Sequence, residues 1–132
     1  MILGLASATG HPFRTQLDDF VDVRPPVVAR AVDYLHDHVA DPISVADVAR
    51  HCGISVRSLQ DGFQRHIGRS PSAYLRTLRI RGVHDELVET SPQQDTVAAV
   101  AHRWGFVHLG RFASLYSAEF GETPSQTLRR VY

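Results

Sequence analysis

The sequence has one cysteine, no lysine and no apolar run long enough to cross a membrane. Cys52 alone provides neither an internal disulfide nor a multi-cysteine metal site, as is typical of a reducing compartment. A membrane helix needs about 20 apolar residues, and the apolar start at residues 1–6 is too short, and lacks the basic flank, for a signal peptide. These absences predict a cytoplasmic chain without a membrane partner.

The chain also lacks net charge, with 14 basic and 14 acidic residues. Nucleic-acid-binding proteins usually carry a basic excess, but here the charge is unevenly divided. Residues 1–41 have a net charge of −3, from three arginines and six aspartates, and residues 42–132 have +3, from eleven arginines and eight acids. Every basic residue is arginine, whose forked donors suit phosphates and guanine edges, although a high-GC genome favours arginine as well.

An internal repeat is the most informative feature of the sequence. The offset between the copies is 52 positions at first and 53 afterwards, so the second copy has one extra residue just after its glycine. Two copies are too few for a solenoid and indicate a duplicated supersecondary unit. The repeated residues are Ala49, Gly53, Leu59, Phe63, Gly68, Pro71, Leu75 and Arg76, matched by Ala101, Gly105, Phe112, Tyr116, Gly121, Pro124, Leu128 and Arg129.

Each copy predicts a helix, a glycine turn, a second helix and the start of a third. In the first copy Ser44 and Asp47 approximate a capping box, and Ser55 caps the second helix. In the second copy Asp95 is expected to cap the first helix, whose apolar residues, including Trp104, point inward. The other punctuating residues are Gly53, Gly68 and Ser70-Pro71 in the first copy, and Gly105, Gly121 and Thr123-Pro124 in the second.

Between the copies, the residues from Ser72 to about Glu89 have helical apolar spacing, weakened slightly by Gly82. An amphipathic helix entered through Pro25-Pro26 precedes the first copy, and no segment has the pattern of a strand. The predicted fold is all-α, with about seven helices. Its first unit spans about 44–69, its bridging helix about 71–89 and its second unit about 95–131.

Both copies have the spacing of a helix-turn-helix. A small residue lets two helices approach, a glycine four positions later makes the turn, and an apolar anchor about six positions beyond it fixes the second helix with its polar face outward. One such match occurs by chance in many helical proteins. Two in tandem, each followed by a Gly-x-Ser/Thr-Pro stop, strongly indicate a double helix-turn-helix protein.

The sequence resembles the AraC/XylS family of bacterial transcription regulators from about Val27 to Arg130. The resemblance implies a seven-helix fold of two subdomains, with the second helix of each unit in the major groove of DNA. The matching motifs are Ile54-Ser55 with Leu59 and Phe63, Gly68-x-Ser70-Pro71 with Tyr74-Leu75 and Arg79-Ile80, and Gly105-Phe106 with Phe112, Tyr116, Gly121 and Thr123-Pro124.

The resemblance also implies partners and a domain organisation. Double-stranded DNA and RNA polymerase are the expected partners, and a small-molecule effector would act only through an N-terminal sensor domain. Residues 1–26 are expected to be the tail of such a domain or a linker, and 27–132 the DNA-binding domain. The sequence departs from the family pattern at Asp61, Gly62, Val83 and Gly110, and these departures bear on affinity and contact details, not on the fold.

Base contacts are expected from the N-terminal halves of the two recognition helices, where such helices meet base edges. Arg57 suits guanine and Gln60 suits adenine, while Arg111 is the best single candidate. Leu109 either packs on a thymine methyl or is a partly buried helix start. The full set is Arg57, Ser58, Gln60, Asp61, Leu109, Gly110, Arg111 and Ser114, and the alternative for each is a solvated surface residue.

Phosphate contacts are expected from arginines near the recognition helices and from helix starts, where backbone N–H groups point outward. The alternative is that these arginines are surface residues or members of internal ion pairs. The resemblance implies that Arg79 ties the bridging helix to a subdomain. The phosphate candidates are Ser55, Arg65, Arg69, Ser70, Arg76, Arg103 and Thr123.

Two other classes of function compete with this interpretation. An enzyme or metalloprotein is disfavoured, because the eight histidines lack ligand spacing and no phosphate-binding loop or nucleophile elbow is present. Neither metal nor cofactor is therefore expected. Cys52 lies on an inward stripe and is expected to be a core residue, not a reactive thiol. A helical adaptor that binds protein remains the runner-up, because the net charge is zero.

Overall fold

The computed structural model describes residues 25–130, which form seven α-helices and no β-strand. The all-α fold with one long bridging helix is confirmed. The expectation for the N-terminal tail falls largely on residues 1–24, outside the described residues. The helices are α1 Pro26–Asp37, α2 Val45–Cys52, α3 Val56–His66, α4 Pro71–Glu89, α5 Val97–Arg103, α6 Leu109–Phe120 and α7 Pro124–Arg129.

The two units have separate cores built by equivalent residues. Helices α1, α2 and α3 pack with the first half of α4, and α5, α6 and α7 pack with its second half. The inward positions of the repeat are buried in both units, so the apolar anchors were correctly predicted from the sequence. These buried pairs are Ala49 and Ala101, Leu59 and Phe112, Phe63 and Tyr116, and Leu75 and Leu128.

The glycine turn of each unit has the same hydrogen bond. The Ile54 N–H donates to the Ala49 carbonyl at 3.0 Å, and the Phe106 N–H donates to the Ala101 carbonyl, also at 3.0 Å. Such a bond closes over a residue in the left-handed region, and Gly53 and Gly105 have φ values of 70° and 91°. A side chain is strained in this conformation, which explains why both turns use glycine.

The second unit departs from its expected form at two places. Its first helix is capped by Thr96, whose side chain accepts from the Ala99 N–H, and not by Asp95. The Asp95 carboxylate instead accepts from the Thr96 N–H and pairs with Arg103. The extra residue lengthens the following turn, so Val107 and His108 separate Phe106 from α6, and His108 makes no side-chain capping bond.

The bridging helix α4 buries different sides in its two halves. Leu75 and Leu78 pack into the first core, whereas Ile80, Val83 and Leu87 pack into the second. A helix turns by about 100° per residue, so Leu78 and Val83 lie about 140° apart around its axis. The two units are therefore attached to different faces of one continuous helix.

Trp104 is directed inward, as expected, and packs at the edge of the second core against the bridging helix. It follows α5 as its C-terminal cap and is half-buried. Its indole N–H donates to a Glu86 carboxylate oxygen at 2.8 Å. A Cβ added at Gly82 would lie 2.4 Å from the indole ring, so the absence of a side chain at Gly82 makes this close packing possible.

Arg79 ties the bridging helix to the first unit, as expected. Its guanidinium donates to the backbone carbonyls of Val39 at 3.0 Å and Asp41 at 2.6 Å. Burial lowers the pKa of Arg79 from its ordinary value. Arg79 also lines a groove between Asp41 of the first unit and Gly105 of the second, so it lies where the two units meet.

Two glycine substitutions test the packing of Trp104. Glycine to alanine in a helix normally stabilises by up to about 1 kcal/mol. We expect Gly82→Ala to lower the free energy of unfolding instead, because the new methyl overlaps the indole ring. Gly110→Ala is the matched control, since no atom lies within 4 Å of its added Cβ, and it should be neutral or stabilising. Urea unfolding followed by the fluorescence of the single tryptophan measures both; a stabilised Gly82→Ala would contradict this packing.

Candidate nucleic-acid interface

The outer face of α3 consists of exposed residues beside a buried anchor. Leu59 and Phe63 are buried, whereas the predicted base-contacting residues Arg57, Ser58, Gln60 and Asp61 are exposed. Ser55 caps the helix by accepting from the Ser58 N–H at 3.0 Å. The cap and the anchor together orient the N-terminal half of α3 with its polar side chains in solvent.

The outer face of α6 corresponds in position to that of α3 but carries different side chains. Phe112 and Tyr116 are buried, and the predicted residues Leu109, Gly110, Arg111 and Ser114 are exposed. The Ser114 hydroxyl donates within the helix to the Gly110 carbonyl at 3.3 Å. The repeat offset of 53 pairs Arg57 with Gly110 and Ser58 with Arg111, so the two faces present arginine at different positions.

Arginines divide into those with and those without partners among residues 25–130. Arg57 and Arg111 have no hydrogen bond or ion pair within this range, and the same is true of Arg65, Arg76 and Arg129. All five are exposed. An exposed guanidinium without an internal partner keeps its donors available for a base or a phosphate. The engaged arginines are Arg30, Arg50, Arg69, Arg79, Arg81, Arg103 and Arg130.

Two of the predicted phosphate-contacting arginines are already engaged. Arg69 uses one terminal nitrogen to donate to the Thr77 hydroxyl at 2.6 Å and to the Ala73 carbonyl at 3.3 Å. Arg103 pairs with the carboxylates of Glu86 and Asp95. A phosphate contact by Arg103 would require it to exchange these partners, which makes it the weakest candidate of the set.

The three predicted cap residues are N-caps. Ser55 precedes α3, Ser70 accepts from the Ala73 N–H before α4, and Thr123 forms a capping box with Gln126 before α7. Their hydroxyls are therefore used inside the protein. Any phosphate contact at these places would come from outward-pointing backbone N–H groups or from the hydroxyl proton, which Ser55 already donates to the Ser58 hydroxyl.

Ion pairs fix α5 on the bridging helix and change the acidity of their members. The hydrogen bond from Arg103, and then that from the Thr96 N–H, lower the pKa of Asp95. The pKa of Arg103 is raised by its hydrogen bonds to Glu86 and Asp95. In the first turn of α2 in the first unit, the backbone N–H of Ser44 and then Arg50 lower the pKa of Asp47. A carboxylate of lowered pKa therefore lies at the N-terminal end of the first helix of each unit.

Residues 25–130 form neither a metal cluster nor a membrane-spanning helix. Within 25–130, no three His, Cys, Asp or Glu side chains lie close enough together to hold a metal ion. None of the helices described there has the length and apolar character needed to span a bilayer. Cys52 is buried, as expected, and burial raises the pKa of its thiol.

Comparison with known proteins agrees with this geometry. A family model described as a helix-turn-helix domain matches residues 48–130. A crystal structure of a probable AraC family transcriptional regulator from Rhodopseudomonas palustris superimposes with a TM-score of 0.73 at 34% identity, covering 80% of this chain and 100% of that one. This chain belongs to the AraC family. Its helix-turn-helix units are therefore those of a family of DNA-binding transcriptional regulators.

Two relatives similar in sequence are longer than this chain. The "Probable thc operon regulatory protein" of Rhodococcus erythropolis is 42% identical over 131 residues, which are 99% of this chain and 40% of that protein. The "XylDLEGF operon transcriptional activator" of Pseudomonas putida is 34% identical over 105 residues, or 80% of this chain and 33% of that protein. The chain thus spans less than half the length of these relatives.

Acid unfolding tests the ion pair between Asp95 and Arg103. The pKa of Asp95 is lower in the folded than in the unfolded chain, so its stabilising effect is present above about pH 5 and is lost as the pH falls through about 4 and below. We expect Asp95→Asn to lower the free energy of unfolding at pH 7 and to flatten its decrease between pH 6 and pH 3. The control is Asp61→Asn, at an exposed residue without an ion pair in the described range. Equal pH dependence in wild type and Asp95→Asn would contradict the pair.

Proposed function

We propose that this AraC-family chain binds double-stranded DNA sequence-specifically through two adjacent major-groove segments and so regulates transcription. The supporting observation is the tandem pair of helix-turn-helix units, each with a buried anchor and an exposed polar recognition helix. Helix α3 would enter one segment and α6 the next. Localisation in the cytoplasm, where the chromosome lies in bacteria, agrees with this function.

Base contacts are assigned to the exposed faces of the recognition helices. Arg57 and Arg111, which have no partners among the described residues, can each fork to guanine, and Gln60 can pair with adenine. Asp61 can accept from a cytosine amino group. Ser58, Leu109, Gly110 and Ser114 complete the two surfaces.

Phosphate contacts are assigned first to Arg65 and Arg76, which are exposed and unengaged within the described residues. Arg69 keeps one terminal nitrogen and Nε for a phosphate, while Arg103 would have to leave its carboxylates. The starts of α3 and α4, at Ser55 and Ser70, and that of α7, at Thr123, can add backbone contacts.

The bridging helix sets the distance between the two segments. Its 19 residues span about 28 Å at 1.5 Å per residue. Adding the width of the flanking helices brings the recognition helices to about one turn of DNA apart, about 34 Å. Since both units lie in one chain as a direct repeat, the DNA site need not be a palindrome.

The names and lengths of the longer relatives support proposals for partners beyond DNA. One of them is named as an operon's transcriptional activator, and activation is usually exerted through RNA polymerase. We therefore propose RNA polymerase as a protein partner. A small-molecule effector would act through a domain outside this chain, in the part of the longer relatives that this chain does not cover.

Salt dependence of binding tests this function against the runner-up, a helical adaptor for another protein. Each phosphate contact releases condensed counterions, so binding to a random duplex should weaken steeply with salt. We expect the logarithm of the binding constant to fall linearly with the logarithm of the salt concentration, with a slope of several units. Absence of duplex binding at low salt would overturn the proposal and favour the adaptor.

Two arginine variants separate base recognition from phosphate binding. Arg111→Ala should weaken binding to a selected site by about 1–3 kcal/mol and relax the preference at one base pair, with random duplex nearly unaffected. Arg76→Ala should weaken all sequences alike and lower the salt slope by about one unit. If Arg111→Ala weakens both duplexes equally, the second unit holds only the backbone, and base recognition belongs to Arg57 and Gln60.

A further inference from the structure

The exposed large apolar side chains of the described residues all lie at or just before the start of a recognition helix. Among residues 25–130 they are Val56, Val107 and Leu109, with exposed fractions of 38%, 75% and 37%. Val56 and Leu109 are the first residues of the recognition helices α3 and α6, and Val107 lies in the turn before α6. Single exposed apolar residues are common on protein surfaces, but they are usually scattered, whereas these three are grouped near the starts of the recognition helices.

Val56 and Leu109 occupy equivalent positions in the two units. Each is the first residue of its helix, α3 or α6, and the repeat offset of 53 relates them. Each is followed directly by predicted base-contacting residues. The neighbour of Leu109 is Gly110, whose added Cβ would meet no atom within 4 Å. The space at the Cβ position of Gly110, directly after the leucine in sequence, is therefore open.

The chemistry around these side chains fits a small apolar group on DNA. Val56 and Leu109 are each the one exposed large apolar residue of their helix, and exposed polar or charged residues follow them in sequence, Arg57 and Ser58 after Val56 and Arg111 after Gly110. In the major groove the exposed apolar group is the 5-methyl of thymine. Recognition helices meet base edges at their N-terminal ends, where both residues lie.

We infer that Val56 and Leu109 each pack against the 5-methyl group of a thymine, one in each major-groove segment. This inference rests on the proposed DNA binding and adds to it a specific pattern in the site. Because the units are a direct repeat, the two thymines lie about one helical turn, 10–10.5 base pairs, apart. The hydrogen-bonding residues of the two faces differ, whereas this apolar contact is shared.

Uracil substitution tests the inference, since deoxyuridine pairs like thymidine and lacks only the methyl group. Binding sites are first selected by the wild-type chain from a random duplex pool. Each thymine of the selected duplex is then replaced singly by uracil, and the dissociation constant is measured. We expect two positions, about one turn apart, at which uracil weakens binding about fourfold, corresponding to about 0.8 kcal/mol for one buried methyl.

Alanine variants assign each methyl to its side chain. With Val56→Ala, uracil should no longer weaken binding at one of the two positions, and with Leu109→Ala it should lose its effect at the other. Val107→Ala is the matched control, because Val107 is also exposed but lies in the turn before His108. It should leave both uracil effects intact. Both recognition-helix variants replace exposed side chains, and circular dichroism checks their folding.

The possible failures are distinguishable. A selected site at which no uracil substitution weakens binding would overturn this inference and leave the proposed function standing. Uracil effects that persist in Val56→Ala and Leu109→Ala, or that disappear in Val107→Ala, would also overturn the assignment. If selection yields no preferred sequence at all, both the sequence-specific function and this inference are overturned.

Discussion

The structure depends on one helix taking part in two hydrophobic cores. Leu75 completes the core of the first unit, and Val83 and Leu87 complete that of the second. Neither unit of about three short helices can enclose its apolar residues alone, because α2 and α5 have only eight and seven residues. Sharing α4 therefore stabilises both units and fixes their separation with the same contacts.

The contacts beside the shared helix restrict rotation of the units about it. Arg79 bonds α4 to the loop after α1, while the indole of Trp104 lies on Gly82 and bonds to Glu86. Arg81 adds an ion pair with Glu119 on α6. Since recognition of two DNA segments by one chain needs a fixed spacing and a fixed relative angle, these polar and aromatic contacts matter for function as well as for stability.

Local features of the fold were predictable from the sequence because the repeat shows each of them twice. The glycine turns, the Ser55, Ser70 and Thr123 caps and the buried anchors depend on nearby residues, and local spacing is enough to find them. The two faces of α4 were not predictable, since its apolar residues form no single stripe. The Gly82–Trp104 contact joins residues distant in sequence, so the sequence indicates only that Gly82 weakens the bridging helix.

The candidate site was predictable in its position and less so in its chemistry. The anchors Leu59 and Phe112 determine which residues of α3 and α6 face outward, and the structure leaves all of the predicted base-contacting residues exposed. Whether an arginine is available depends on its tertiary partners. The sequence alone could not show that Arg103 is engaged by two carboxylates while Arg76 has no partner among the described residues.

Spacing dependence tests most directly the claim that α4 holds two DNA-binding units at a fixed distance. Five base pairs are inserted between the two halves of a selected site, and the same five are inserted outside it as a control. The central insertion rotates one half by about half a turn, so we expect affinity to fall by more than about tenfold, since the base contacts of one unit are worth a few kcal/mol. Equal affinity for the centrally interrupted and control duplexes would contradict the account.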